Sequence, residues 1–425
     1  MEPLKVIVIG AGSRGQRYTD IMHRFPERYK VVGVAEPIDA RREYVQAKHG
    51  IHKKNCFTTW EDILAVPRFA DIAIISTMDQ LHKEPAIKAM ELGYDLLLEK
   101  PIANTKEECM NIYAAAKRYG RKVMVCHVLR YTPYFKALKK IITDGVLGEI
   151  VAVSHLEAVG NIHQSHSFVR GNWGNEERSS FMLLQKCCHD MDILQWLLDK
   201  NCKHIQSFGS LQYFRKENAP AGAPERCHEG CPAADTCYYN AVKLYYDDKN
   251  NDWFRNAATG KVGPTDAQVM EALKTTQYGK CVFQCDNDVV DHQTVNMEFE
   301  GGTTVTLTMA AFNQGGRKTH IMGTKGELYC DMKAKDPFIF YDFATKERRI
   351  LNAETAAAGD SIVSGHGGGD DGIVDALYLY ETGLLEAEDV SEIGISYQNH
   401  MLTFAAEEAR VNGNVIDMAA YLADK

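Results

Sequence analysis

Val6-Ile7-Val8-Ile9-Gly10-Ala11-Gly12-Ser13-Arg14-Gly15 decides the fold. A run of branched apolar residues enters a turn with glycines at its first, third and sixth places. A strand that becomes a helix through such a turn cradles a pyrophosphate. The first glycine permits the tight turn, the second admits close backbone approach, and the third lets the helix pack close. Gly10, Gly12 and Gly15 fill those places, with Ser13 and Arg14 between them. Apolar runs recur at Val31–Ala35, Ile72–Ile75, Leu96–Leu98 and Lys122–Val128, separated by helical periods such as Thr105–Tyr119. That alternation predicts a doubly wound parallel sheet.

Glu36 ends the second run, where an acid about 20 residues beyond the glycines accepts the ribose hydroxyls of a dinucleotide. A carboxylate there repels a 2′-phosphate, so NAD is expected rather than NADP. Ser76, Thr77, His82, Glu99 and Lys100 complete the candidate cofactor-binding set. Lys100 follows the strand end Leu96-Leu97-Leu98-Glu99 and precedes Pro101, so it points into the crevice where ligands of open sheets collect. Its ammonium suits donation to a substrate oxygen and proton transfer. Lys186, His189 and Asp192 recur every three residues and would share one face of a helix. His189 is the expected acid or base, Asp192 its orienting group, and Lys186 a weaker third catalytic candidate. A half-buried structural histidine is the plain alternative.

With 425 residues, the chain exceeds one ordinary domain. We expect a dinucleotide-binding domain over 1–128 and an α+β domain over 129–425. In the latter, Val295, Met297 and Phe299 alternate into the turn Glu300-Gly301-Gly302 and return through Val305, Leu307 and Met309, an antiparallel hairpin in a large, mostly antiparallel sheet. Tyr131, Tyr134, Phe135, Leu138, Ile141 and Ile142 form one helical stripe ending near Gly145. Residues from about 216 to 280 are rich in Pro, Gly, Asp, Asn and Cys, and read as an excursion from the sheet. Within it Cys227, Cys231 and Cys237 are candidate ligands of a structural zinc, with Cys281 and Cys285 a second pair. Reduced, partly buried cysteines are the alternative.

A net charge of −9 with 25% charged residues gives no basic surface for nucleic acid. No apolar stretch approaches the roughly 20 residues of a membrane span. The opening Met1-Glu2-Pro3-Leu4-Lys5 lacks a signal-peptide layout, so a cytoplasmic protein with reduced cysteines is expected.

Gly10 to Gly15, Glu99-Lys100-Pro101, Arg130-Tyr131-Thr132-Pro133 and His189-Asp190-Met191-Asp192 together resemble the glucose–fructose oxidoreductase / inositol dehydrogenase (Gfo/Idh/MocA) family. The resemblance implies a Rossmann lobe, a second lobe on an open sheet, bound NAD(P), and oxidation of sugar or cyclitol hydroxyls. It also suggests a cis Lys100–Pro101 bond and a homo-oligomer, dimer or tetramer, formed through the open sheet face. Members commonly have an aspartate four residues before the histidine, where this chain has Gln185 beside Lys186. Arg130, Tyr131, His163, His166, Arg170 and Trp173, with His366 in a second glycine-rich turn, are candidate substrate contacts. The leading expectation is an NAD-dependent dehydrogenase of a sugar, amino sugar or cyclitol. The alternatives are a glycoside hydrolase that oxidises, eliminates, hydrates and re-reduces, and a non-catalytic NAD and sugar sensor.

Overall fold

The computed structural model describes residues 2–351 and 366–423. Six strands build the first sheet: β1 (Leu4–Ile9), β2 (Tyr29–Ala35), β3 (Cys56–Phe57), β4 (Ile72–Ile75), β5 (Asp95–Leu98) and β6 (Val123–Val125). All pair in parallel in the order β3-β2-β1-β4-β5-β6. Val6, Ile7, Val8, Ile72, Ala73, Ile74, Leu96 and Leu97 are fully buried, as expected of strands covered by helices on both faces. The strand expected over Lys122–Val128 stops at Val125, because Val128–Tyr131 coils into a 3₁₀ turn.

Nine strands form the second sheet: β7 (Ile150–Ala158), β8 (Cys202–Ser210), β9 (His292–Phe299), β10 (Thr304–Ala310), β11 (Gly316–Gly323), β12 (Gly326–Asp331), β13 (Phe338–Asp342), β14 (Arg348–Ile350) and β15 (Ile416–Asp417). Their order is β14-β13-β12-β11-β7-β10-β9-β8-β15, with only the β7–β10 pair parallel. The expected hairpin is β9–β10, with Val295 opposite Leu307 and Met297 opposite Val305. The stripe before Gly145 is the helix Pro133–Thr143, except for Tyr131, which lies in the preceding 3₁₀ turn; the helix is started by Thr132, whose side chain accepts the Phe135 N–H.

The helix Met182–Leu198 is the wall shared by both sheets. Its Leu184 and Cys188 join the core against the first sheet, while Leu183, Cys187, Met191 and Leu194 join that against the second. The helix Ile393–Asn412 is divided in the same way, with Met401 and Phe404 on one side and Leu402, Ala405 and Ala409 on the other. Gly369–Glu381 packs Ile373, Val374 and Leu377 against Tyr18, Met22 and Tyr29 of the first lobe. Late sequence therefore buttresses the early lobe.

No sheet strand interrupts residues 211–291, as expected of an excursion. Instead it holds helices Asp252–Thr259 and Asp266–Thr275 and two small cores, one of them shared with Val169 and Ala311. No helix among the described residues is long and apolar enough to cross a membrane.

Candidate active site

The glycine turn is tight for reasons that can be read atom by atom. Gly10 has φ +89°, and a Cβ on it would lie 2.5 Å from the Ser76 carbonyl oxygen. One on Gly15 would lie 2.1 Å from the Gly10 oxygen, so helix and turn meet backbone to backbone. Gly12 faces open space, with Arg41 Nη1 its nearest atom at 3.9 Å. The exposed Ser13 begins the helix there, leaving N–H groups for an anion. The turn fits a dinucleotide pyrophosphate. Glu36 is 4% exposed, and its two oxygens accept the Ala11 and Ile38 N–H groups at 2.7 and 3.0 Å. It holds the loop beside the glycine turn.

Gly12→Ala is expected to leave the thermal midpoint within about 1 °C while raising the Kd for NAD about tenfold or more, roughly 1.4 kcal/mol. Gly15→Ala is expected to cost about 1–3 kcal/mol of folding stability instead. Thermal unfolding beside calorimetric NAD titration separates the two, and equal effects at both sites would contradict the cradle.

Arg14 turns away from the turn. Its Nε donates to Glu99 at 2.8 Å and its Nη2 to Asp370 at 2.7 Å and the Tyr18 hydroxyl oxygen at 2.5 Å. Although burial opposes it, Arg14 holds the Glu99 carboxyl below its ordinary range. This buried network ties the turn to β5 and to the helix Gly369–Glu381. Ser76 donates to the Gly10 carbonyl at 2.7 Å, and Thr77 to that of Leu81 at 3.2 Å. His82 is fully buried, with Nδ1 2.9 Å from the Pro101 carbonyl and Nε2 3.3 Å from that of Thr77. It joins two loops below the crevice and does not line it.

Lys100 stands at the carboxyl edge of β5, and its bond to Pro101 is cis. Its Nζ donates to the Gln185 carbonyl at 3.0 Å. That carbonyl lies one turn before His189, which is 7% exposed. Lys100 and His189 are thus brought together from positions far apart in sequence. Lys186 is beside them, its Nζ 3.2 Å from Glu157 on β7. Burial, then the Lys186 ammonium, pushes the neighbouring His163 imidazole well below its ordinary range. Gln185 itself is buried and donates to the Ser180 hydroxyl oxygen at 2.8 Å.

Several expected roles are corrected. Asp192 does not orient His189. Its oxygens take a two-pronged bond from Arg130 at 2.6 and 2.7 Å, and a third from Asn399. Shared helix face placed it near His189, but the stronger cation claimed it. Arg130 is accordingly structural, and so is Tyr131, whose hydroxyl lies 2.8 Å from that of Ser391. His166 meets the Tyr245 hydroxyl and stacks on Phe254, centroids 4.0 Å apart. Arg170 bonds the Lys280 and Tyr239 carbonyls at 2.8 and 2.7 Å. Both anchor the excursion, and neither faces the crevice. Trp173 packs against the second core. His366 opens the turn before Gly369–Glu381, and its side chain lies outside the described residues.

Zinc is not supported. Among the described residues no three His, Cys, Asp or Glu side chains gather as a metal-ion site. Cys227, Cys231, Cys237 and Cys281 line one cavity with Arg170, all as free cysteines. Burial pushes the Cys237 and Cys281 thiols up, away from the thiolate a metal needs. The bracing expected of a metal comes from Arg170.

Reasoning from sequence missed His127, Glu157, Asp190 and Arg317. His127 lies two residues past the end of β6, its ring centroid 5.8 Å from that of His189. Arg317 on β11 is paired in register with Glu157 on β7, bonding it at 2.8 Å and Asp190 at 2.7 Å.

Comparison with known proteins supplies the family. A family model described as oxidoreductase family, NAD-binding Rossmann fold, matches residues 4–127, and its companion, the C-terminal alpha/beta domain, matches 139–338. The protein YteT of Bacillus subtilis (strain 168) is 23% identical over 380 residues, covering 84% of each chain. The 2,7-anhydro-N-acetylneuraminate hydratase of Escherichia coli (strain K12) is 31% identical over 148 residues, which are 35% of this chain and 39% of that enzyme. The WlbA dehydrogenase of Bordetella pertussis, solved with NADH and UDP-GlcNAcA, superposes with a TM-score of 0.67 at 16% identity, covering 98% of both chains. With paired models matching both lobes, the chain belongs to the Gfo/Idh/MocA oxidoreductase family.

Proposed function

We propose that this protein is an NAD-dependent dehydrogenase that oxidises a hydroxyl of a sugar, amino sugar or cyclitol. The observation that carries the reading is the bond from Lys100 Nζ to the Gln185 carbonyl, which sets the ammonium over the helix turn bearing His189. Two proton carriers then share one crevice with an open glycine cradle. When bound, NAD supplies the hydride acceptor. Lys100 bonds the substrate oxygen and shares with His189 the work of taking the hydroxyl proton. Lys186, held forward by Glu157, binds a further substrate oxygen. The buried Glu36 carboxylate favours NAD over NADP. Residues 1–128 bind the cofactor and 129–425 supply the substrate side and a homo-oligomer face. Cysteines that are all free suit a reducing, cytoplasmic setting.

A second reading has the same residues act in a cofactor-retaining cycle of oxidation, elimination, hydration and re-reduction. The similarity to a hydratase that acts on an anhydro sugar favours keeping it. One time course decides between them: protein and NAD with free sugars, cyclitols and nitrophenyl glycosides, following NADH absorbance and nitrophenol together. NADH accumulating with a free polyol is the expected result. Nitrophenol release without net NADH replaces it with the second reading. Silence in both channels with ligand binding intact points to a sensor.

A further inference from the structure

His127, packed between His189 and His400, is the residue that this reading leaves without a task. Its side chain is fully buried, yet neither Nδ1 nor Nε2 has a hydrogen-bond partner among the described residues. Buried polar atoms are nearly always paired, and an exception beside a reaction site calls for a partner that arrives with function. His127 stands between two other imidazoles. Toward His400 the ring centroids are 5.5 Å apart, but that side is closed. His400 Nε2 accepts the Ile102 N–H at 3.0 Å, and Nδ1 lies 2.7 Å from the Ser396 carbonyl, so both nitrogens are engaged. Toward His189 the rings stand edge-on, 5.8 Å apart at 79°. A small rotation or one water closes such a gap.

We propose that His127 is a positioning residue for His189: when the crevice fills, the two imidazoles share a hydrogen bond, direct or through one water, which fixes the tautomer that meets the substrate hydroxyl. The inference rests on His189 being the proton carrier proposed above. His127 plays this part as a neutral ring. Burial, then the Arg130 and Lys100 cations, holds its pKa well below the ordinary value, with Glu99 the opposing charge. His189 and His400 are the other titratable groups against it. A neutral imidazole offers one donor and one acceptor, enough to dictate which nitrogen of its neighbour carries the proton.

The test compares wild type, His127→Phe and His127→Gln, all loaded with NAD. Phenylalanine keeps the ring bulk and removes both nitrogens; glutamine restores a donor and an acceptor. Imidazole nitrogen NMR reads the His189 tautomer, and turnover on an oxidised polyol gives kcat, KM and their pH profiles. In His127→Phe we expect the His189 signals to change from one tautomer to a mixture. Its kcat should fall about tenfold or more with KM for NAD nearly unchanged, and the acidic limb should move. His127→Gln should recover most of this. A folded phenylalanine variant with unchanged nitrogen signals and pH profile overturns the proposal. Equal losses in both variants, with kcat and KM moving together, overturn it too, since they indicate packing alone. His127→Leu replaces the phenylalanine variant should that fail to fold. If wild type oxidises no polyol, the dehydrogenase reading falls, while the nitrogen signals still decide the role of His127.

Discussion

Lys100→Met is expected to lower kcat/KM for polyol oxidation by about 10³, roughly 4 kcal/mol of transition-state stabilisation. NAD affinity should stay within a few-fold, because the phosphate cradle is built from Gly10, Gly12 and Gly15 and the Lys100 ammonium is bonded instead to the helix Met182–Leu198. The geometry gives the reason for so large a loss. Lys100 Nζ is held at 3.0 Å by a backbone carbonyl that belongs to the helix carrying His189. A preorganised cation there stabilises the negative charge that the substrate oxygen takes on as its proton leaves, before hydride departure makes it a carbonyl. Lys100→Arg separates charge from proton transfer. Its guanidinium keeps the positive charge but does not give up a proton at any ordinary pH. We therefore expect Lys100→Arg to bind substrate nearly as wild type and to turn over almost as slowly as Lys100→Met. Steady-state kinetics with calorimetric NAD titration checks both. An arginine variant running near the wild-type rate would assign Lys100 an electrostatic role alone and pass the proton to His189.

What the chain discloses before folding depends on the distance over which each cause acts. Strand runs and the glycine turn are local. Val6–Ile9 is buried because the run is apolar, and Gly10 adopts φ +89° because no side chain fits against Ser76. The β9–β10 hairpin is local too. Partner choice is not. Periodicity placed Asp192 on the face of His189 but contained nothing about Arg130, 62 positions away, which takes the carboxylate. His166 and Arg170 carried the chemistry of a sugar site, yet the excursion folds over them and uses their polar atoms as anchors. His127 fell inside an apolar run and read as strand, and only the end of β6 at Val125 sets its ring beside those of His189 and His400. Glu157 and Arg317 became partners through the antiparallel register of β7 and β11, which no short stretch of sequence specifies.

Arg317→Leu is expected to destabilise the fold by about 3–5 kcal/mol, the usual cost of removing one partner from a buried ion pair. Arg317 bonds Asp190 at 2.7 Å and Glu157 at 2.8 Å, and those carboxylates are 0% and 1% exposed. Register explains the convergence. Arg317 lies opposite Glu157 and Thr319 opposite His155, so both pairs face the helix that carries Asp190. His155 closes the network, Nε2 3.0 Å from Asp190 and Nδ1 2.8 Å from the Thr319 hydroxyl. Burial alone would raise the Asp190 carboxyl; Arg317, with His155, holds it far below the ordinary carboxylate range. A depressed carboxylate stabilises the fold above its unfolded pKa, near 4, and loses that contribution as pH falls through the folded value. The gap in urea midpoint between wild type and Arg317→Leu should therefore be widest near neutral pH and narrow below about pH 4, where protonation relieves the stranded acids. A gap that stays constant with pH would mean that lost packing, not stranded charge, sets the cost. The same substitution reaches the chemistry. Glu157 also bonds Lys186 at 3.2 Å, and without Arg317 it draws that ammonium deeper and away from the crevice. Turnover should fall even under conditions where the variant is fully folded, which separates the role of the network in holding Lys186 from its role in holding the sheet.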